Sequence, residues 1–306
     1  MLELLGNYLA ADIRMATPIM IAALGLLLIN EAGMINIGVE GTMLIAALAA
    51  AAGSYITGSV WGGLICAMVS AGLVGLLYAV LVVSLRANQV VVGVAINILG
   101  SGLSATLNRV IFGVNTTIAS IDTFKNITIP GLSQIPLIGT ALFNHMPIVY
   151  IGIILVIALT YFLYNTQVGL NLRSVGENPG AADTLGINVY RYRYITCIVG
   201  SMIMGIGGAF LSTGLLTFFS EEMVSGRGYI AIAAVIFGRY KPKGVLLASM
   251  IFMAGNVIAN IMQVNNIGIP YYFLNMLPYA FTVISLAFFG KSTIAPAASG
   301  IPYKRG

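Results

Sequence analysis

Long apolar runs recur from end to end of this 306-residue chain, and most of them are close to 20 residues long. A helix needs about 20 apolar residues to cross a hydrocarbon core of about 30 Å, whereas barrel strands are segments of roughly ten alternating residues. The charged fraction is 8%, against about 25% in soluble domains. We therefore predict an all-α fold: a polytopic transmembrane helical bundle of about eight to ten spanning or re-entrant helices, in one domain over residues 1–306. The nine predicted segments are 13–30, 42–58, 61–84, 90–108, 147–165, 192–216, 229–238, 244–264 and 271–290.

The seventh segment, "YIAIAAVIFG", is too short to span a membrane alone. We predict a re-entrant or broken helix that the preceding "EEMVSGRG" completes. A similar glycine break precedes the second segment, in "NIGVEGTMLIAALAA". The charge pattern places the first break inside and the second outside, as an inverted repeat would, and transporters often build their pathway at such breaks. A chance likeness between two segments rich in alanine and glycine is equally open.

Lysine and arginine are concentrated in the connections that follow odd-numbered segments. Because short cytoplasmic loops carry an excess of these residues, we place those connections in the cytoplasm, including the loop 166–191 and the C-terminus. The N-terminus is then outside, and the outer face receives the long polar loop 109–146. The residues that set this orientation are Arg86, Arg173, Arg191, Arg193, Arg239, Lys241, Lys243, Lys291, Lys304 and Arg305.

No residue pattern indicates an enzyme. The chain lacks both the phosphate-binding pattern G-x-x-x-x-G-K-[ST] and the zinc pattern H-E-x-x-H. His145 is the one histidine, and Cys66 and Cys197 lie within apolar runs, where we expect buried free thiols. We therefore predict no catalytic residue and no metal or cofactor bound by this chain. All nine acidic residues fall at predicted segment ends or in loops, which argues against an ion-coupled carrier, since such carriers hold an ionisable group within the membrane.

Uncharged polar residues form stripes on three predicted helices. Their spacing of three or four residues aligns them on one helical face. An amide in hydrocarbon is costly without a partner, so each stripe must meet another helix or water. Hydrogen bonding between helices stays open for each residue, while three stripes together favour a pathway for a neutral solute such as a sugar or a nucleoside. The stripes are Gln89, Gly93, Asn97, Ser101, Ser104 and Asn108; then Asn256, Asn260 and Gln263; then Asn275, Tyr279 and Thr282. The candidate solute contacts are Gln89, Asn97, Ser101, Asn256, Asn260 and Asn275.

A polar insert, "RSVGENPGAADTLGINVYRYR", lies between the fifth and sixth segments. Proline is favoured in the first turn of a helix and glycine just beyond its end. The spacing of Pro179, Asp183 and Gly186 therefore predicts a short helix at the cytoplasmic surface. From the residues alone, this helix is either a docking element or an ordinary connection with interfacial arginines.

Four motifs resemble a known family, in order and over nearly the whole chain. They are "AGMINIGVEGTMLIAALAA", "LRSVGENPGAADTLGINV", "SGRGYIAIAAVIFGRYKPKG" and "LPYAFTVISLAFFG". The chain resembles permease subunits of bacterial ABC importers of the ribose/simple-sugar and nucleoside class, and is most similar to the purine-nucleoside (guanosine-type) branch. The resemblance implies a multi-pass protein of the bacterial cytoplasmic membrane that imports nucleosides by alternating access, with ATP and Mg²⁺ bound by a separate ATPase subunit.

The same resemblance implies the partners and the coupling residues. The partners would be the ATPase, an extracytoplasmic substrate-binding protein or lipoprotein, and a second permease in a heterodimer or homodimer. The insert would be the coupling helix that docks in a cleft of the ATPase. The implied ATPase contacts are Glu177, Asn178, Pro179, Ala181, Ala182, Asp183 and Gly186.

Three alternatives remain at this point. A simple-sugar ABC permease would be the same machine with another cargo. A stand-alone secondary carrier or facilitator would transport without an ATPase. A membrane-embedded enzyme is the weakest alternative, because no catalytic constellation is visible.

Overall fold

The computed structural model describes residues 2–113, 121–128, 138–264, 276 and 295–305. Within these ranges, seven helical segments are long and apolar enough to cross a membrane. They are α1 (Leu2–Glu31), α2 (Val39–Thr57), α3 (Val60–Ala79, continued by a π-helical turn Val80–Ser84), α4 (Gln89–Phe112), α6 (Pro147–Asn165), α9 (Val189–Phe210, continued by a π-helical turn Leu211–Leu215) and α11 (Pro242–Val264). The predicted helical bundle and its multi-pass character are confirmed.

The shorter elements lie between these helices. The described residues form α5 (Ile138–Leu142), α7 (Gln167–Glu177), α8 (Pro179–Thr184) and α10 (Arg227–Phe237). Two two-residue strands, β1 (Ile127–Thr128) and β2 (Asn144–His145), pair antiparallel. The predicted outer loop therefore contains structure of its own, and it starts at Gly113 because α4 extends to Phe112.

Eight of the nine predicted segments coincide with helices, and the ninth, 271–290, lies outside the described residues except for residue 276. The first helix is longer than predicted, since α1 begins at Leu2. The prediction that every acidic residue lies at a segment end or in a loop is wrong for Asp12, which is inside α1 and only 4% exposed. A prediction from hydropathy ends a segment at a charged residue, whereas a helix can continue through a charged residue that neighbouring helices bury.

The core forms where α9 packs against α1, α2 and α3. Small residues permit the close approach, as between α1 and α9, where a Cβ on Gly25 would lie 2.2 Å from the carbonyl oxygen of Gly200. Helices in membranes associate through such small-residue contacts because lipid supplies no hydrophobic drive between them. By contrast α3, α4 and α6 expose large aliphatic side chains, as lipid-facing helices do. Examples are Ile65, Leu73, Ile98, Val110, Ile154 and Ile157.

The seventh segment is a short helix, as predicted, and its re-entrant course through a membrane stays a prediction. Helix α10 has 11 residues, a rise of about 16 Å, or half of a hydrocarbon core of about 30 Å. We predicted that the preceding residues complete this helix. They instead form turns that end at Gly226, which has a φ of 82°. Helix α10 packs against α1 and α11.

Candidate functional site

The short helix α8 has a defined start and end. The Asn178 side chain accepts a hydrogen bond from the Ala181 N–H (3.0 Å) and so caps the first turn. Pro179 occupies the first helical position, where its missing N–H costs nothing. Gly186 follows with a φ of 84°, a backbone conformation in which glycine is favoured. The helix predicted from Pro179, Asp183 and Gly186 is therefore present.

The region before α8 is also helical, although we predicted 166–191 as a loop. Helix α7 precedes α8, and the Thr166 hydroxyl caps it by accepting from the Gly169 N–H at 3.1 Å. The Arg173 guanidinium lies 4.9 Å from the centre of the Tyr164 ring. This contact holds α7 against the end of α6.

The exposed face of α8 differs from the predicted set of contacts in two residues. Ala182 is only 2% exposed and packs in a small apolar cluster with Val175 and Val189, so its side chain is not on the docking surface. Leu185, which the sequence analysis did not select, is 80% exposed. A large apolar residue at the end of a polar surface helix is the signal that could have identified it. Of the other predicted contacts, Glu177, Asn178, Ala181 and Gly186 are exposed, and Pro179 and Asp183 are half-buried.

The segment 295–305 contacts α7, α8 and α9, a feature that sequence reasoning missed. The Ala298 N–H donates to the Gly176 carbonyl at 2.9 Å. Arg305 Nε lies 3.2 Å from Asp183 Oδ2, and the buried Arg193 donates through Nη1 to the Ile301 carbonyl at 3.3 Å. The segment thus ties α7 and α8 to α9.

The end of α7 also touches the connection between α1 and α2. A Cβ added to Gly176 would lie 2.2 Å from the Glu31 carbonyl oxygen, and Gly33, with a φ of 75°, lies beside Gly176. A displacement of α7 would therefore push on the backbone at the end of α1. The end of α7 is therefore in direct contact with the first glycine break.

Beyond that contact, a non-helical segment, 34–38, leads into α2. Non-helical backbone at membrane depth must find hydrogen-bond partners inside the protein. The Ile35 N–H donates to Gln89 Oε1 (2.7 Å), and the Tyr78 hydroxyl donates to the Ile35 carbonyl (2.6 Å). Asn97 accepts from the Gly41 N–H (2.8 Å) and donates to the Ile37 carbonyl (3.0 Å).

These hydrogen bonds show what two residues of the α4 stripe, Gln89 and Asn97, contact in this structure. Gln89 is 3% exposed, and both Gln89 and Asn97 bond the interrupted backbone. Hydrogen bonding within the bundle, one of the two open interpretations, is thus what their side chains do here. Their contact with a solute stays a prediction.

The two glycine breaks meet inside the bundle. Glu40, in the first turn of α2, accepts from the Gly226 N–H through Oε1 (2.6 Å) and from the Gly228 N–H through Oε2 (2.7 Å). The two breaks are therefore in direct contact, and their placement on opposite sides of the membrane stays a prediction. A count of charges in loops gives no sign of this contact.

Three further polar groups surround this junction. Glu222, with a φ of 57°, accepts a hydrogen bond from the Ser101 hydroxyl. Glu221 forms an ion pair with Arg109 at 3.3 Å. Tyr229, in the first turn of α10, accepts from Asn97 Nδ2 at 3.2 Å and is 51% exposed.

The second polar stripe lies elsewhere. Asn256 contacts Met253 Sδ within α11 (3.4 Å), and Asn260 reaches Met15 Sδ of α1 (3.7 Å). Helix α11 packs against α1, α6 and α10, whereas α4 packs against α2 and α3. The structure therefore does not bring these two stripes together, and Asn275 lies outside the described residues.

Metal-binding chemistry has little support in the described part of the chain. Its histidine, cysteine, aspartate and glutamate side chains form no group of three or more that could hold a metal ion. Both cysteines are free, but only Cys197 is buried, and the prediction of burial is wrong for Cys66, which is exposed on α3.

Comparison with known proteins places the chain among transport permeases. It is 35% identical to the guanosine ABC transporter permease protein NupQ of Bacillus subtilis, over 99% of this chain and 98% of that protein. It is 35% identical to the nucleoside ABC transporter permease protein NupC of Lactococcus lactis, over 94% of this chain and 93% of that protein. It is also 35% identical to the putative glucose ABC transporter permease protein TsgC13 of Haloferax volcanii, over 81% of this chain and 75% of that protein. The profile for the family described as branched-chain amino acid transport system / permease component matches residues 8–288, and the chain belongs to this family.

Proposed function

We propose that this chain is the membrane-spanning permease of an ATP-driven ABC importer that carries nucleosides by alternating access. It would act with a second permease chain, a separate ATPase that binds ATP and Mg²⁺, and an extracytoplasmic substrate-binding protein. The observation that carries the proposal is the capped, exposed helix α8, which is followed by the exposed Leu185. The names of two relatives that match nearly full length support the cargo.

The contacts of α8 suggest how work done by the ATPase reaches the pathway. A push on α8 passes to α7, and the end of α7 touches the backbone at Glu31 and Gly33. From there the non-helical segment 34–38 leads to Glu40, which accepts hydrogen bonds from the start of α10. Rigid helices joined by short bonded connections transmit displacement, because packed interfaces shift between discrete arrangements rather than deform continuously.

The positive residues near α8 indicate how the chain is oriented in the membrane. Arg191, Lys304 and Arg305 lie on or beside α8, and positive residues favour the cytoplasmic side. We therefore infer a cytoplasmic C-terminus, an N-terminus outside, and an outer face formed by β1, β2 and α5. That outer face is the surface offered to the substrate-binding protein.

The cargo is tested by competition. In proteoliposomes that hold the complete complex, unlabelled guanosine at saturation is expected to reduce ATP-dependent uptake of labelled guanosine at least tenfold, since both compete for one site. Ribose and glucose at equal concentration are expected to leave uptake unchanged. Strong competition by a sugar would favour the simple-sugar permease, the second candidate, which the similarity to a putative glucose permease supports. Uptake by this chain alone, without ATPase, would contradict an ABC importer.

A comparison of two substitutions separates two roles for Asp183. The Arg305–Asp183 pair is open to solvent on the arginine side, with 69% of that side chain exposed, and such pairs contribute at most about 1 kcal/mol. Arg305→Gln is therefore expected to weaken ATPase association less than about fivefold. Asp183→Asn is expected to weaken it more, because it also removes the charge offered to the ATPase. Equal effects of the two substitutions, in a pull-down of the ATPase with the permease, would limit Asp183 to its pairing with Arg305.

A further inference from the structure

We propose that Glu222 and Tyr229 line the solute pathway and bind the nucleoside, the carboxylate through the solute's N–H and O–H donors and the ring through stacking. This inference rests on the proposed function and deepens it, because it assigns the contacts that select the cargo. The sequence analysis selected neither residue. Both lie where the second glycine break meets α4.

The first step is the depth of the Glu222 carboxylate along the membrane-spanning length of α4. Helix α4 runs from Gln89 to Phe112 over 24 residues, a length of about 36 Å at 1.5 Å per residue. Ser101, the partner of Glu222, lies twelve positions after Gln89 and therefore about 18 Å along the helix. The Glu222 carboxylate is held close to the middle of the membrane-spanning length.

The second step is exposure at that depth. Glu222 is exposed on the surface of this chain. A carboxylate near the bilayer centre is costly in lipid, and such groups face the interior of an assembly or a water-filled cavity. The surface around Ser101 and Glu222 therefore borders water or a second chain across a pathway.

The third step is the neighbouring ring. Asn97 Nδ2 donates to the Tyr229 hydroxyl at 3.2 Å, which fixes the ring while leaving it 51% exposed. Asn97 and Ser101 are one turn apart on α4, a rise of about 6 Å. The ring and the carboxylate are thus anchored on neighbouring turns, within reach of one small solute.

The chemistry of the pair fits a nucleoside. An ionised carboxylate only accepts hydrogen bonds, and a neutral nucleoside offers ribose hydroxyls and base N–H groups as donors. An exposed aromatic ring stacks on a base, an interaction worth about 1–3 kcal/mol per base. A sugar offers the hydroxyls but lacks the base, so loss of the ring would affect nucleoside binding selectively.

Cysteine accessibility tests this assignment. In the complete complex, in nanodiscs that expose both faces, Cys66→Ala removes the exposed native thiol and leaves the buried Cys197. Glu222→Cys and Tyr229→Cys are expected to react with a membrane-impermeant thiosulfonate at least about tenfold faster than Ile154→Cys, the matched lipid-facing position on α6. Guanosine, at a concentration well above the KM measured for each variant, is expected to slow both reactions at least about fivefold, whereas ribose is not, because the inferred site takes a solute with a base.

Transport kinetics provide an independent measurement. Tyr229→Ala is expected to raise the KM for guanosine roughly tenfold, the loss of one stacking contact, while Tyr229→Phe, which keeps the ring, stays within about threefold of the unmodified chain. Unreactive thiols at positions 222 and 229, or reactive thiols that no solute protects, would overturn this inference while leaving ATP-dependent nucleoside uptake intact. Protection by ribose without protection by guanosine would overturn both the assignment and the nucleoside cargo.

Discussion

Replacing Leu185 with aspartate is expected to weaken association of this permease with its ATPase by about 30-fold or more. Leu185 is 80% exposed at the end of α8, and covering such a side chain at an interface is worth about 1.5–3 kcal/mol. A loss of about 2 kcal/mol corresponds to about 30-fold in affinity, and the new carboxylate adds a desolvation cost. ATP-dependent uptake is expected to fall in proportion to the complex lost. Co-purification of the tagged ATPase and uptake in proteoliposomes measure the two effects.

Two further variants keep this prediction specific. Leu185→Met preserves an apolar side chain of similar volume and is expected to retain association within about threefold. Deletion of residues 179–186 removes α8 and is expected to abolish ATPase association, while the seven spanning helices still insert and the protein still elutes as a folded species in detergent. Full co-purification and full uptake with Leu185→Asp or with the deletion would show that α8 is not the docking element.

The helices were predictable because their signal is local and repeated. An apolar run of about 20 residues requires no knowledge of neighbours, and seven such predictions agree with the structure. The start of α1 was missed for the same reason, since the rule reads Asp12 as an end. What keeps Asp12 within the helix is burial by surrounding helices, which a single-sequence reading does not contain.

The candidate site likewise has features that the sequence predicts and features that it does not. The capping of α8 by Asn178, Pro179 and Gly186 is encoded within nine residues and was predictable. The face of α8 was not, because position in a motif does not tell whether Ala182 packs inward or Leu185 points outward.

Contacts between distant parts of the chain were also out of reach. The Arg305–Asp183 pair and the bonds from Gly226 and Gly228 to Glu40 each join residues more than 100 positions apart. The charge count, which predicts the two ends of the second contact on opposite sides, gave no sign that they touch. Pairing of this kind depends on how the helices pack, and the sequence pattern offers no sign of it.

Replacing Glu40 with alanine is expected to have the largest effect on the transport pathway itself. The carboxylate accepts from two backbone N–H groups at the start of α10, and a hydrogen bond to a charged group contributes about 1.5–3 kcal/mol. Removing both would cost about 3 kcal/mol or more, which corresponds to a fall in the melting temperature of about 6 °C. Thermal unfolding of the purified protein in detergent measures this change, and guanosine uptake is expected to be lost with it.

The series at Glu40 distinguishes a hydrogen-bonding role from a role of its charge alone. Glu40→Gln keeps one acceptor oxygen and is expected to lower the melting temperature by about half as much as Glu40→Ala, since one of two N–H groups keeps its partner. Asp122→Asn, which neutralises an exposed carboxylate outside the bundle, is the matched control and is expected to change the melting temperature by less than about 1 °C. Equal melting temperatures for Glu40→Ala and Asp122→Asn would mean that Glu40 does not hold the two breaks together. The route from α8 to the pathway would then have to bypass α10.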